Sequence, residues 1–138
     1  MKYEGQCLCG NISYKSNSDP VFQFNCHCID CQKSTGAAYA PIMFFKRQDI
    51  EITGQLSFFE SIGGSGKTIL RGFCPMCGAQ VVGDVGVVPS LISIRAGTLN
   101  DPSIFRPAFN AFATNAQAWD AMDESLPKFE KLPPRSGA

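Results

Sequence analysis

The chain has 138 residues, of which 44% are hydrophobic, so it is long enough for one globular domain and too apolar to be disordered. Twelve basic and twelve acidic residues give a formal net charge of zero, and no basic stripe is evident, which argues against a nucleic-acid partner. No apolar signal region opens the sequence and no apolar run approaches a membrane span, so we expect a cytoplasmic protein without a membrane partner. Thiols stay reduced in the cytoplasm, and seven cysteines therefore indicate metal ligands before disulfides.

The first half of the chain is predicted to form short strands separated by turns. Residues 5–14 contain Cys7 and Cys9, which share one face because side chains alternate along a strand. Residues 21–25 form a second strand that ends at Cys26. Residues 39–45 are apolar enough for a buried strand, and two shorter strands are predicted over residues 50–53 and 56–60.

The second half continues with strands over residues 67–73, 79–82 and 91–96. Short strands that recur between Gly- and Pro-rich turns predict an all-β fold. Residues 111–122 have a helical composition, although Phe109 and Phe112 are equally compatible with a longer strand. We predict one zinc-binding β domain over residues 1–125 and a loose, proline-rich tail over residues 126–138.

Three cysteines and the only histidine of the chain lie together in Cys26-His27-Cys28-Ile29-Asp30-Cys31. In an extended backbone Cys26 and Cys28 point to one side, and a turn can bring Cys31 to the same point. Three thiolates without a fourth protein ligand are typical of a zinc site with an open position. The same alternation turns His27 away from this metal, so we interpret it as a surface residue or one that supports the ligands from outside.

The other four cysteines form two pairs that are far apart in sequence, Cys7-Leu8-Cys9 and Cys74-Pro75-Met76-Cys77. Together they supply four thiolates, enough for a closed, structural zinc site. Such a site would tie the first strand to the middle of the chain and would contribute to folding.

Other interpretations of the cysteines remain open at this point. All seven could be buried thiols, or one closed zinc site could leave three thiols spare. Cys28 and Cys31 could form a redox pair, although the strand–helix context of a thioredoxin-like motif is missing. Residues 63–68 resemble a phosphate-binding loop, but Ser61 stands where that motif needs glycine and a strand follows, so we predict a hairpin turn.

The cysteine motifs resemble those of the glutathione-dependent formaldehyde-activating enzyme family, which includes the centromere protein V relatives. The resemblance covers most of residues 3–122. It rests on Gly5, Cys7, Cys9, Gly10, Ile12 and Tyr14, on Cys26-His27-Cys28-Ile29-Asp30-Cys31-Gln32-Lys33 with Gly36-Ala37, on Phe73-Cys74-Pro75-Met76-Cys77-Gly78, and on Gly97-Thr98-Leu99 and Trp119.

The resemblance implies an all-β fold of small coiled sheets, similar to the Mss4-like or β-tent fold. It implies two zinc ions, a structural one on Cys7, Cys9, Cys74 and Cys77 and a second one on Cys26, Cys28 and Cys31. It also implies carbon–sulfur bond formation, in which glutathione condenses with formaldehyde to S-hydroxymethylglutathione. Asn110 departs from the pattern, because the family often has histidine there and an amide is not a general acid or base.

These observations predict a zinc-dependent carbon–sulfur lyase or transferase that acts on the adduct of a small-molecule thiol and an aldehyde. A carboxylate-bearing thiol such as glutathione needs a cationic anchor, for which Lys33, Arg71, Arg95 and Arg106 are candidates. The alternative is a non-catalytic, zinc-stabilised module that binds a partner protein.

Overall fold

The computed structural model describes residues 2–133, and within them the fold is mostly β. One α-helix, α1, spans Ile29–Thr35, and four 3-10 turns span Arg47–Asp49, Ala96–Thr98, Pro102–Ile104 and Ala113–Asn115. The ten strands in chain order are β1 Tyr3–Gln6, β2 Ser13–Ser16, β3 Phe22–Cys26, β4 Ala40–Lys46, β5 Ile50–Thr53, β6 Ser57–Ile62, β7 Thr68–Phe73, β8 Gln80–Val85, β9 Leu91–Arg95 and β10 Asn110–Ala111. The all-β prediction is therefore confirmed.

The chain divides into two compact units. The first unit comprises residues 2–22 and Met43–Phe105, and the second comprises Gln23–Ile42 and residues 106–133. The prediction of a single domain over residues 1–125 stays a prediction.

The first unit contains two sets of antiparallel strands. A three-stranded sheet has the order β1-β2-β5, with Gly5 opposite Tyr14. A second set runs β9-β8-β7-β6, and each of these strands is antiparallel to its neighbours. The core of this unit is one cluster of buried residues from these strands, from the end of β4 and from the adjoining turns: Tyr3, Cys7, Ile12, Tyr14, Met43, Phe45, Cys74, Val81, Val82, Ile92, Ile94, Ala96 and Leu99.

The turn after β1 corrects one sequence prediction. A single strand was expected across residues 5–14, but β1 ends at Gln6 and β2 begins at Ser13. Gly10 has a φ of 83°, a backbone conformation that favours glycine, and the Cys7 amide donates to the Ile12 carbonyl across the turn. This turn places Cys7 and Cys9 at the end of the sheet.

The second unit is organised around β3, which pairs in parallel with β10, so that Asn110 lies opposite Asn25 and Ala111 opposite Cys26. Phe109 stacks on Phe24 with ring centroids 5.0 Å apart. These contacts bring the end of β3 against a segment more than 80 positions later in the chain.

The C-terminal part decides between two alternatives that the sequence left open and corrects one prediction. β10 covers Asn110–Ala111, and a 3-10 turn and loops follow it up to residue 122 instead of a helix. The expected tail is not loose at residues 127–131, because Phe129 donates to the Asn110 carbonyl (2.9 Å) and the Ala113 amide donates to that of Phe129 (2.9 Å). The Phe129 ring also packs edge-on against Phe109, with a centroid distance of 5.6 Å. The packing of Phe129 and these backbone hydrogen bonds therefore hold a segment whose composition is that of a loop. Residues 134–138 of the predicted tail lie outside the described part of the chain.

Candidate metal centres

The first cysteine cluster lies in the first unit, where two turns meet. Cys7 and Cys9 come from the turn between β1 and β2, and Cys74 and Cys77 come from the turn between β7 and β8. Their four sulfurs lie within 4.8 Å of one another, as the sequence predicts. Gly78, with a φ of 78°, closes the second turn and its amide donates to the Cys74 carbonyl (2.8 Å).

The geometry of this cluster fits a tetrahedral zinc ion. Zinc–sulfur bonds of about 2.3 Å in a tetrahedron place the sulfurs roughly 3.8 Å apart. The Cys9 sulfur lies 3.7 Å from both the Cys7 and the Cys74 sulfur. Backbone amides also point at the ligands, with Ile12 N 3.2 Å from the Cys7 sulfur and Met76 N 3.4 Å from the Cys74 sulfur. Such donors stabilise thiolates, which is the form that binds a metal.

Backbone amides also favour the deprotonated form of Cys77. Hydrogen bonds from the backbone amides of Ala79 and Cys9 lower the pKa of the Cys77 thiol to about 6. This cysteine is therefore a thiolate at neutral pH, prepared for a cation.

The second cluster, which we call the triplet, lies in the second unit and consists of Cys26, Cys28 and Cys31. Cys26 ends β3, Cys28 is the residue that caps the start of α1, and Cys31 lies in the first turn of that helix. The three sulfurs lie within 4.8 Å of one another. The Cys31 amide donates to the Cys28 sulfur over 3.3 Å, so the same bond caps the helix and favours the Cys28 thiolate. The predicted turn after Cys28 is thus the start of a helix.

The triplet fits a cation with a position left for another ligand. Within the described residues no fourth Cys, His, Asp or Glu donor joins it, in contrast to the first cluster. Cys26 and Cys31 are buried and Cys28 is half-buried. The neighbouring Cys28 and Cys31 sulfurs, together with burial, raise the pKa of the Cys26 thiol above its ordinary range. Three thiols packed so closely lose their protons together only if a metal compensates the charge.

His27 is completely buried and both of its ring nitrogens are occupied. Nδ1 lies 2.6 Å from Asp120 Oδ2 and Nε2 lies 2.9 Å from Asn110 Oδ1. The Asn110 amide nitrogen donates instead to the Asp123 carbonyl, which leaves its oxygen facing the ring. Both ring nitrogens therefore have a hydrogen-bond partner, and the ring is held between the Asp120 carboxylate and the Asn110 amide.

The prediction that His27 is not a metal ligand agrees with this arrangement, whereas a surface position for it is wrong. Sequence reasoning did not identify Asp120, which lies 93 positions from His27 in a stretch interpreted as helical. The only available signal was that a lone histidine between two ligands needs a partner if it is buried.

Gln32 ties α1 to the loop that carries Asp120. Its Nε2 donates to the carbonyls of His27 (2.7 Å) and Asn115 (2.9 Å), and its Oε1 accepts from Gln117 Nε2 (3.1 Å). The triplet is therefore supported on one side by a loop from the C-terminal part of the second unit.

The four candidate anchors for a carboxylate fall into two groups. Lys33 and Arg106, in the second unit, are exposed. Arg71 and Arg95, in the first unit, are buried. Exposed cations are ordinary solvated charges, whereas a buried one needs a physical explanation.

Two other sequence motifs can be placed. Residues 63–68 form the predicted hairpin turn, in which the Gly63 amide donates to the Lys67 carbonyl (2.9 Å) and no helix follows. Among residues 2–133, no helix is long and apolar enough to cross a membrane.

Comparisons with known proteins support this fold and identify the family. A crystal structure of a Rhodobacter sphaeroides protein superposes with a TM-score of 0.55 at 17% sequence identity, covering 70% of this chain and 87% of that chain. At that identity the likeness shows the fold alone. A comparison with curated proteins finds no significant match. The family model of the glutathione-dependent formaldehyde-activating enzymes matches residues 2–115, so the chain belongs to that family.

Proposed function

We propose that this protein is a zinc-dependent enzyme of the carbon–sulfur lyase type, acting on the adduct of a small aldehyde with a glutathione-like thiol. Family membership supports a glutathione-related, formaldehyde-activating role. The observation that carries the proposal is the difference between the clusters, since one offers four thiolates and the triplet offers three. Closed sites of four protein ligands are structural, and a site of three leaves room for a reactant.

The residues that would hold the second zinc are Cys26, Cys28 and Cys31, and the first cluster would hold a structural zinc. A zinc bound by the triplet would favour the deprotonated form of a thiol that binds there. In the overall reaction the sulfur attacks the aldehyde carbon, a carbon–sulfur bond forms, and the carbonyl π bond becomes an O–H bond. The proton lost by the thiol equals the proton gained by the oxygen, and no redox partner is needed.

The residues around the triplet hold the three cysteines in position and do not serve as proton donors or acceptors for the reaction. His27 is engaged at both nitrogens, and Asn110 is an amide, so neither is a free acid or base. The proton balance of the reaction allows water to accept and return the proton. The chain's own contribution is to fix three sulfurs with small, exposed residues nearby in sequence, Gly36 and Ala37, after α1.

The test is the interconversion of thiol and adduct by zinc-loaded protein. We expect the full chain to accelerate exchange between glutathione, formaldehyde and their adduct, measured by exchange NMR at equilibrium. Cys28→Ser should lose at least about tenfold of this acceleration while keeping the first zinc, because it removes one of three metal ligands. Equal acceleration by wild type and Cys28→Ser would contradict the proposal.

A non-catalytic binding module is the second candidate, and one observation favours it. The tips of both turns in the first cluster carry exposed apolar side chains, Leu8 (85% exposed) and Met76 (76% exposed). Exposed apolar side chains beside a structural metal could contact a partner protein. No catalysis of exchange, together with a fourth protein ligand on the triplet metal, would favour this candidate.

A further inference from the structure

One face of the β6–β9 strand set in the first unit carries two arginines. Arg71 of β7 lies opposite Gly83 of β8, and Gly83 lies opposite Ser93 of β9. Cross-strand partners project from the same face of a sheet, and so do residues two apart along a strand. Arg95, two residues after Ser93, therefore shares this face with Arg71.

The carboxylates of these four strands project from the other face. Leu70 of β7 has two cross-strand partners, Glu60 on β6 and Asp84 on β8. Because Leu70 is adjacent to Arg71 in the strand, Leu70 and its two partners project from the face opposite to Arg71. Asp84 there pairs with Arg47. The face that holds Arg71 and Arg95 thus carries positive charge without any acidic side chain from these strands.

Arg71 is buried without a compensating anion. It is only 9% exposed, and it forms no ion pair with any residue between 2 and 133. Its Nη1 donates to the Ser61 hydroxyl (2.9 Å), and its Nε has no hydrogen-bond partner. Burying a guanidinium carries a large desolvation penalty that one hydroxyl does not offset, so the position is costly for the fold unless an anion binds there.

Gly83 brings the second guanidinium toward the first. A Cβ at Gly83 would lie 2.4 Å from Ser93 Oγ and 3.5 Å from Arg95 Nη1. The missing side chain therefore lets the Arg95 guanidinium lie over Gly83, which is the cross-strand partner of Arg71. Arg95 is itself only 8% exposed.

We propose that Arg71 and Arg95 form a carboxylate-binding site on this face of the first unit. Guanidinium groups present planar pairs of N–H donors that match the two oxygens of a carboxylate, and the match strengthens in a dry environment. The ligand is a small-molecule carboxylate, the chemical class to which the thiol of the proposed function belongs, and this last clause rests on that function.

The direct test uses zinc-loaded full-length protein and S-methylglutathione, a probe that keeps both carboxylates but has no free thiol. Calorimetry should show that it binds at least tenfold more tightly than its diester, which lacks the carboxylates. Arg71→Gln and Arg95→Gln should each weaken binding of S-methylglutathione about tenfold or more. Arg47→Gln, which removes an arginine from the opposite, carboxylate-paired side, should leave binding within twofold of wild type.

A second readout separates a binding role from a structural one. Because Arg71 has no anionic partner among residues 2–133, Arg71→Gln should leave the melting temperature of the ligand-free protein unchanged or raise it. The stabilisation that S-methylglutathione gives to wild type should disappear in this variant. A lower melting temperature of ligand-free Arg71→Gln would assign Arg71 to the fold and overturn the proposal.

Three binding results would also overturn it: no binding of S-methylglutathione, equal binding of probe and diester, or binding that both Gln variants retain. Inorganic phosphate is the competing anion. If only the binding of phosphate depended on Arg71, the carboxylate assignment would be rejected.

These binding results are independent of turnover. Unchanged binding and KM in Arg71→Gln, with adduct exchange intact, would reject only this site, whereas Arg71-dependent binding without any exchange would reject only the proposed function.

Discussion

At the scale of single residues, the least expected feature is the buried ring of His27 between two cysteines of the triplet. Its contacts to Asp120 and Asn110 are both made by ring nitrogens, and all three side chains are buried. The ring is therefore held in one position, and it constrains the backbone of the two neighbouring residues, Cys26 and Cys28. Outer residues of this kind orient metal ligands and change metal affinity by about 10- to 100-fold when they are lost.

We expect Asp120→Asn to loosen zinc at the triplet. The amide keeps the shape of the side chain, but it removes the carboxylate charge and weakens the hydrogen bond at His27 Nδ1, so the backbone between the two cysteines becomes less constrained. Chelator titration should show roughly tenfold or greater loss of affinity for one zinc only. In cobalt-substituted protein the absorption of the triplet should shift while that of the four-cysteine cluster stays unchanged.

Asp123→Asn is the matched control for this experiment. Asp123 is exposed in the same segment of the chain and its carboxylate accepts only from Ser125. It should behave as wild type. If Asp120→Asn retained wild-type zinc affinity and cobalt absorption, His27 would have a packing role alone.

At the scale of elements, the two clusters are built differently. The triplet comes from one strand end and the adjoining helix start, so six consecutive residues supply all of its sulfurs. The first cluster needs two separate turns, and its amide donors hold Cys77 as a thiolate. The two sites should therefore respond differently to acid.

On acidification we expect the triplet to release its zinc at a higher pH than the first cluster. The raised pKa of Cys26 means that protons compete strongly for its sulfur, and the competition grows as pH falls. In the first cluster burial and the neighbouring sulfurs raise the pKa of Cys9 to about 11, but backbone amides lower the pKa of Cys77 to about 6 and a fourth sulfur shares the metal, so protons displace this metal only at a lower pH. A metal-sensitive dye should show two steps between pH 8 and pH 4, with the triplet first. A single step, accompanied by loss of the circular dichroism signal, would show that the sites are not distinct.

At the scale of the whole molecule, the first cluster is a cross-link between distant parts of the chain. Cys9 and Cys74 are 65 positions apart, and their turns close the core of the first unit. A metal that joins such turns contributes its binding free energy to folding, because the unfolded chain has no preformed site. The triplet spans only residues 26–31 and closes no long loop.

Replacement of Cys77 by serine should therefore unfold the protein or lower its melting temperature by more than about 10 °C, because zinc binding of this kind is worth on the order of 10 kcal/mol. Cys28→Ser should reduce the zinc content from two ions per chain to one and change the melting temperature by less than about 5 °C, because the helix cap it weakens is worth about 1 kcal/mol. Calorimetry and metal analysis on the same samples test both statements. Similar destabilisation by the two variants would make both sites structural.

The sequence alone determined the fold class and which cysteines form each of the two clusters. Cysteine spacing identifies the pairs and the triplet because each lies within a few residues along the backbone, and β7, β8 and β9 were predicted because short apolar segments recur between Gly- and Pro-rich turns. Even the turn at residues 63–68 followed from local rules. These features depend on interactions between near neighbours in the chain.

The tertiary structure alone decided what surrounds the sites. Asp120 meets His27 across 93 positions, Phe129 anchors a segment that looks like a loose tail, and Arg71 and Arg95 share a face only because of the register of three strands. No local pattern encodes such contacts, because each depends on where two distant segments meet. The free energy of burying a ring or a charge depends on the partners that surround it in the folded protein, and those partners come from distant parts of the chain.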